Sequence, residues 1–306
     1  MDAIYRKFYR SFYMRTGGFI PACPLNQQVY PGDFFQIING EMVVLGNIYR
    51  NKVIDIENCD IGYEIRLSPT SWNFSDGVSK PYSGRGNGNG IGTGEFEFSR
   101  QILAFAAWGA FFFKGDNPES VRINNWGDIN MQLIIKLTQT LYSFRELYVV
   151  TESATTSAWT LAVAGSAQGE LEIAGDYESV GLADVFGHQS AKTVQSKDIE
   201  FYQRESTRRP VFFKARKLVV QDEKLNAFIN ELIDEQQYRY SWANEFFKYG
   251  YDHDPLYNPQ VSVSARAGIL DMLPANELNP NTALQYFRWA DANLDDIEKL
   301  FLNYGN

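Results

Sequence analysis

Several features are scarce in this 306-residue sequence, and each scarcity excludes something. There are two cysteines, Cys23 and Cys59, and neither has a Cys-x-x-Cys partner. No disulfide framework or cysteine-based zinc site is expected; reduced thiols in a cytoplasmic setting are. There are two histidines. His253 lies between Asp252 and Asp254, but adjacent residues on one loop rarely converge on a single ion, so no metal is expected. His188, in Phe-Gly-His-Gln-Ser, has no recognisable nucleophile beside it and reads as a hydrogen-bonded structural residue. Gly-x-Ser-x-Gly, His-Glu-x-x-His and Walker patterns are missing, so the residues give no support for an enzyme or a cofactor. No apolar run reaches 18 residues, which excludes a preformed transmembrane helix. The first residues carry Arg6, Lys7, Arg10 and Arg15 rather than an apolar core, unlike a signal peptide. Basic excess is also missing: the net charge of −9 argues against general nucleic-acid binding.

What is present is unevenly placed. Residues 221–306 hold 14 acidic and 6 basic side chains, while residues 1–220 are nearly balanced with 23 and 22. Basic groups cluster in two places, the first twenty residues and residues 204–217, which include Arg204, Arg208, Arg209, Lys214, Arg216 and Lys217. The acidic quarter either covers these patches or is a solvated surface; charge alone leaves both open. Residues 2–15 predict a helix, because Ile4, Phe8 and Phe12 recur every four residues beside Tyr5 and Tyr9. Gly17-Gly18 ends it. Such a basic amphipathic helix either lies on an anionic membrane or packs on a core.

The rest predicts an α+β fold: a twisted, mostly antiparallel sheet with flanking helices and a short helical C-terminal tail. Asn39-Gly40 between "FFQIING" and "EMVVLGNIY" signals a hairpin. "VIDI", "YEIRL", "ELYVVTES", "SAWTLAVAG", "ELEIAG", residues 198–202 and "PVFFKARKLVV" read as further strands. In "AWTLAVAG", Trp159, Leu161 and Val163 alternate with smaller residues. Residues 131–142 and 221–249 predict helices, and 249–268 a linker. Two short helical patterns follow in 282–303, with Leu294, Ile297, Leu300 and Phe301 as an apolar stripe.

The most unusual segment runs from Gly84 to Phe113. Glycine occupies every second position from Gly84 to Gly94, and Ile102–Phe113 is a run of twelve uncharged residues. At strand period Phe96, Phe98, Ile102, Ala104, Trp108 and Phe112 share a face interrupted by Arg100, opposite Glu95, Glu97, Ser99 and Gln101. A membrane strand needs such a two-faced pattern over about 9–11 residues. The glycine track permits nearly any backbone conformation. It is read as flexible sequence that extends into a strand at a membrane, or as a loop beside a buried segment.

Two stretches, "LYVVTE" (147–152) and "VFFKARKLVV" (211–220), together with "GGFIPACPLNQQVYPGDFFQI" (17–37) after a basic first helix, resemble the gasdermins over roughly residues 1–220. The short tail resembles the bacterial kind. The resemblance implies a pore-forming domain (1–248), a linker with the cleavage site (249–268) and an autoinhibitory tail (269–306). It implies a cytoplasmic monomer that a caspase-like or other protease activates by removing the tail. The freed domain then binds acidic lipid at the plasma (inner) membrane and closes into a homo-oligomeric β-barrel pore, causing cell death in antiphage defence. Carried onto this chain, lipid would meet Arg6, Lys7, Arg10, Arg15, Arg208 and Arg209. Hairpins near 80–125 and 153–190 would insert Phe96, Phe98, Trp108, Phe111, Phe112, Phe113, Trp159, Leu161 and Val163. Asp254 and Arg266 are the candidate cut positions, and Leu294, Ile297, Leu300 and Phe301 would dock the tail. Bacterial members carry an acylated cysteine within their first residues; here Cys23 comes first, which puts acylation in doubt. Two alternatives stay open: a non-enzymatic assembly protein whose aromatics are core, and an enzyme using His188 or the Asp252–Asp254 loop.

Overall fold

The computed structural model describes residues 2–90, 94–138, 147–176, 192–224, 227, 230 and 280–301. A 3-10 turn at Ala3–Tyr5 leads into α1 (Arg6–Thr16). Phe8, Tyr9 and Phe12 lie on its inner face with no exposed surface. Gly17, at φ 72°, donates its N–H to Tyr13 O and ends the helix in the left-handed conformation that glycine adopts without penalty.

Next come β1 (Ile20–Pro21), β2 (Asp33–Ile38) and β3 (Glu41–Asn47). Asn39 and Gly40 both have positive φ, 52° and 78°, so the β2–β3 turn has the twist that suits a two-residue hairpin. The chain continues through β4 (Ile61–Arg66), β5 (Asn73–Asp76), β6 (Val78–Gly90), β7 (Gly94–Phe105), β8 (Phe111–Asp116) and β9 (Glu119–Ile123) to α2 (Trp126–Thr138). Then follow β10 (Tyr148–Thr155), β11 (Ala158–Ala164), β12 (Glu170–Asp176), β13 (Lys192–Lys197), β14 (Ile199–Glu205) and β15 (Phe212–Val220). The C-terminal segment supplies α3 (Pro280–Tyr286), β16 (Phe287–Asp291) and α4 (Leu294–Lys299).

These strands make three antiparallel sheets, which with the helices give an α+β fold. The first runs β1-β15-β10-β2-β3, with β16 on β15, and β9 linking β10 to β4. The second is β14-β11-β8-β5 and the third β13-β12-β7-β6. Both faces of the first sheet are covered, which explains its near-continuous apolar strands. Phe35, Tyr148, Val150 and Phe213 join α1 and α4 in one core; Phe34, Leu147, Val149 and Leu218 join α2 and α3 in another. The first core is built on rings: Phe12 stacks on Phe212 at 4.8 Å and meets Phe113 edge-on at 5.1 Å. Such pairs add about 0.5–1.5 kcal/mol to the burial of each ring.

The structure departs from the sequence expectations in five places. The glycine track is a strand in this state, not a loose connector. Gly84, Gly86, Gly88 and Gly90 of β6 pair with Arg100, Phe98, Phe96 and Gly94 of β7. Two of these glycines, Gly86 and Gly88, lie opposite aromatic positions in the ladder. The apolar run does not continue as one strand either. β7 stops at Phe105, Gly109 turns at φ 70°, and β8 begins at Phe111. At the base of β7 the buried residues are Gln101, Leu103 and Phe105, while Ile102 and Ala104 are only half-buried. Phe111–Phe113 lie inside β8, which extends through Asp116. "VIDI" is not a strand: Val53 and Ile54 are buried in a turn, and Ile56 starts an exposed 3-10 segment. The predicted second helix begins at Trp126, and the tail inserts a strand, β16, between its helical pieces. The helix expected over 221–249 falls outside the described residues except for 227, 230 and a 3-10 turn at Asp222–Lys224. The 249–268 linker also lies outside them.

Candidate functional site

Helix α1 carries Arg6 and Arg10 one turn apart, so both guanidinium groups can reach one acceptor. That acceptor is Glu298 on α4, bridged to each at 2.5 Å. Burial pushes the Glu298 carboxyl up, but hydrogen bonds from Arg6 and Arg10 outweigh it and hold the group below the usual range.

Helix α4 is placed by its own cap. The Asn293 side chain accepts the N–H groups of Asp295 and Asp296, and Asp296 accepts the Asn293 N–H in return. This box fixes the Asp296 carboxylate, which is 1% exposed. Lys217 and Lys299 donate to it at 2.8 and 3.1 Å, and the Tyr148 hydroxyl donates at 2.8 Å. Burial pushes this carboxyl up too. The hydrogen bonds from Lys217 and Asn293, with the charges of Lys217 and Lys299, bring it below its ordinary value.

Between these helices β16 lies along β15, from Val220↔Phe287 to Arg216↔Asp291. Arg216 Nε donates to Asp291 at 2.9 Å. Three carboxylates of the C-terminal segment thus neutralise four cations: two on the first helix, two on β15. The apolar stripe seats the same segment. Ile297 and Leu300 are buried in the α1 core, Leu294 and Phe301 pack at its edge, and Phe301 meets Tyr9 edge-on at 5.4 Å.

The remaining candidates are more scattered. Lys7 pairs with Asp76 at 2.9 Å, Arg208 with Glu119 at 2.9 Å and Arg209 with Glu205 at 3.9 Å. Arg15 is exposed on α1. Phe111, Phe113, Trp159, Leu161 and Val163 belong to the α1 core, and Phe112 to a smaller cluster with Leu103 and Leu171. Trp108 is 56% exposed in the turn between β7 and β8. Phe96 and Phe98 sit on β7 at the positions paired with Gly88 and Gly86. Cys23 is buried with its thiol against the Gly40 carbonyl at 3.8 Å, and burial pushes the thiol up, which makes it a poor nucleophile. Asp254, Arg266, His188 and His253 lie outside the described residues.

Sequence reading named the cations Arg6, Arg10, Arg216 and Lys217 but missed their acceptors Asp291, Asp296 and Glu298. One signal was available: Asn293-x-x-Asp296 ahead of Ile297 is a helix-start pattern. Among the described residues no three His, Cys, Asp or Glu side chains converge as a metal site. No helix among them is long and apolar enough to cross a membrane. No protein-family model matches the chain, and no curated protein matches it either.

Proposed function

We propose that the chain is a gasdermin-type pore-forming protein held closed by its C-terminal segment. The observation that carries this reading is Glu298 seated on Arg6 and Arg10. While α4 is docked, these cations face a carboxylate rather than anionic headgroups. Removing the segment frees four cations, each worth about 1 kcal/mol beside an anionic surface. It also bares the apolar surface of Tyr9 and its neighbours that Ile297, Leu300 and Phe301 cover.

The sheets favour the same reading. The two candidate hairpin regions, 80–125 and 153–190, are neighbours here: β7 pairs with β12 and β8 with β11. β6 and β7, at 13 and 12 residues, exceed the 9–11 a tilted membrane strand needs. In this reading Phe96 and Phe98 with the β6 glycines form a lipid face, and Glu95, Glu97, Arg85 and Asn87 a lumen face. Many copies must close the ring, because an open strand edge in lipid leaves backbone groups unsatisfied. Phe111 and Phe113 contact Phe8 at 5.5 Å each, so freeing the strands disrupts the core under α1. The closed monomer is cytoplasmic and the pore sits in the inner membrane, with a protease cutting in 249–268 as the trigger.

Dye release from phosphatidylglycerol liposomes tests the proposal. The intact chain is compared with residues 1–255 and with a full chain carrying an engineered protease site in 249–268, before and after cutting. Release only after loss or cutting of the tail is the expected result. Release from none of the three sends the reading to an assembly protein whose aromatics are core.

A further inference from the structure

A cavity of about 350 Å³ lies where α1, the first sheet and the C-terminal segment meet. The end of α1 contributes Tyr13, Gly17 and Gly18, the sheet contributes Arg122, Lys214 and Arg216, and the tail contributes Asp291. That volume is in the range of small-molecule pockets.

The polar groups around it are mostly donors. Lys214 is 3.4 Å from Glu152, which also accepts the Ser120 hydroxyl. Arg216 is 2.9 Å from Asp291, whose side chain is 80% exposed. Arg122 donates its Nε to Asn124 and meets no carboxylate among the described residues. Three cations against two carboxylates leave the site one positive charge in excess. Trp126 also lines the cavity and is 7% exposed. Trp126 is moreover the first residue of α2, whose N-terminal end favours negative charge.

We infer that this cavity binds a small anion bearing phosphate or carboxylate groups, held by Arg122, Lys214 and Arg216. The site goes beyond pore formation: it belongs to the closed chain in solution, whether or not that chain permeabilises membranes. It is also tied to the tail. Arg216 lies 5.3 Å from the Trp126 ring, and Trp126 meets Trp289 of β16 edge-on at 5.4 Å. A bound anion competes with Asp291 for Arg216, so occupancy loosens β16, and loosening β16 strengthens binding in return.

Calorimetric titration of the intact chain with citrate and with inorganic phosphate at low ionic strength tests this. Saturable binding is expected. Arg122→Ala, at an exposed position, weakens it about tenfold, as loss of a charged hydrogen bond does. Lys214→Met keeps the aliphatic stem and loses the charge, and weakens binding about threefold. Lys136→Ala, at an exposed cation of α2 outside the cavity, leaves it unchanged. Asp291→Asn strengthens it about two- to fivefold, the size of an exposed ion pair. Phosphatidylcholine vesicles with and without phosphatidylglycerol form a second arm. If only the anionic vesicles bind, with the same sensitivity to Arg122→Ala and Lys214→Met, the anion is a lipid headgroup rather than a free solute. No saturable binding in either arm, or binding indifferent to those two substitutions, overturns the site. Unchanged or weaker binding by Asp291→Asn overturns the link to the tail.

Discussion

Asp296→Asn is the most incisive perturbation of the docked segment. The substitution keeps the volume of the side chain and removes its charge. The carboxylate is 1% exposed, and two ammonium groups and a phenol converge on it. Lys217 is itself 17% exposed, so it would keep its charge with only partial access to water. Breaking a buried pair by removing one partner costs about 3–5 kcal/mol. Lys299, at 29%, can turn towards solvent, which places the expected loss near 3 kcal/mol. That is about a hundredfold in the opening equilibrium of the segment. Native-state hydrogen exchange reads this directly, because the backbone bonds between β16 and β15 persist only while the segment is docked. We expect the β16 amides, Phe287–Asp291, to exchange about a hundredfold faster, and those of β2 and β10 to hold their rates. Acceleration of β16 by less than about fivefold would refute the reasoning. So would equal acceleration throughout, which would make Asp296 a general fold determinant rather than a latch.

Other perturbations separate the same contacts. Ile297→Ala removes a fully buried side chain from the α1 interface and should cost about 2–5 kcal/mol of segment docking, again seen as faster β16 exchange. Phe111→Ala, by contrast, should lower global stability by about 3–5 kcal/mol in denaturant melts, since Phe8 and Phe74 both pack on that ring. Glu298→Lys turns two exposed attractions into repulsions. Each pair is worth about 0.2–1 kcal/mol, so the full chain should hold its tail a few times less tightly, seen as β16 exchange a few times faster than in the parent. Acid should release the segment as well. Asp296 and Glu298 have depressed carboxyl values when docked, so their contribution is present above about pH 4 and is lost as pH falls through the docked values. Exchange protection of β16 measured between pH 6 and 3 should fall ahead of that of β10.

The sequence made some elements legible because their signals are local. Phe8 and Phe12 at helical spacing, closed by Gly17, define α1, and Asn39-Gly40 defines the β2–β3 turn. β16 was hidden for the opposite reason. Its five residues sit between helical patterns and become a strand because β15 offers an edge 67 to 75 residues away, from Val220↔Phe287 to Arg216↔Asp291. The glycine track misled in the same way, since only the register with β7 turns it into a strand. The charge imbalance announced an acidic tail, but not that Glu298 would meet Arg10 across 288 residues. The Ile102–Phe113 run looked continuous because composition does not show that Gly109 bends the chain.

The chain leaves the sheet at Val220 and comes back beside it at Phe287, with Gln221 N donating to Tyr286 O. Departure and return points coincide, so a cut in 249–268 leaves the contacts described for Phe287–Phe301 in place. Cutting changes only how fast a lost segment is replaced. Joined, it returns to a partner held at an effective concentration on the order of 1 mM. Severed, it must find that partner at whatever concentration the solution provides. A grip of micromolar strength would therefore be almost always closed in the joined chain and mostly open in a dilute severed one. Proteolysis then acts as a change of molecularity: it does not weaken the latch, and it sets the protein's own abundance as the variable that decides whether the latch holds.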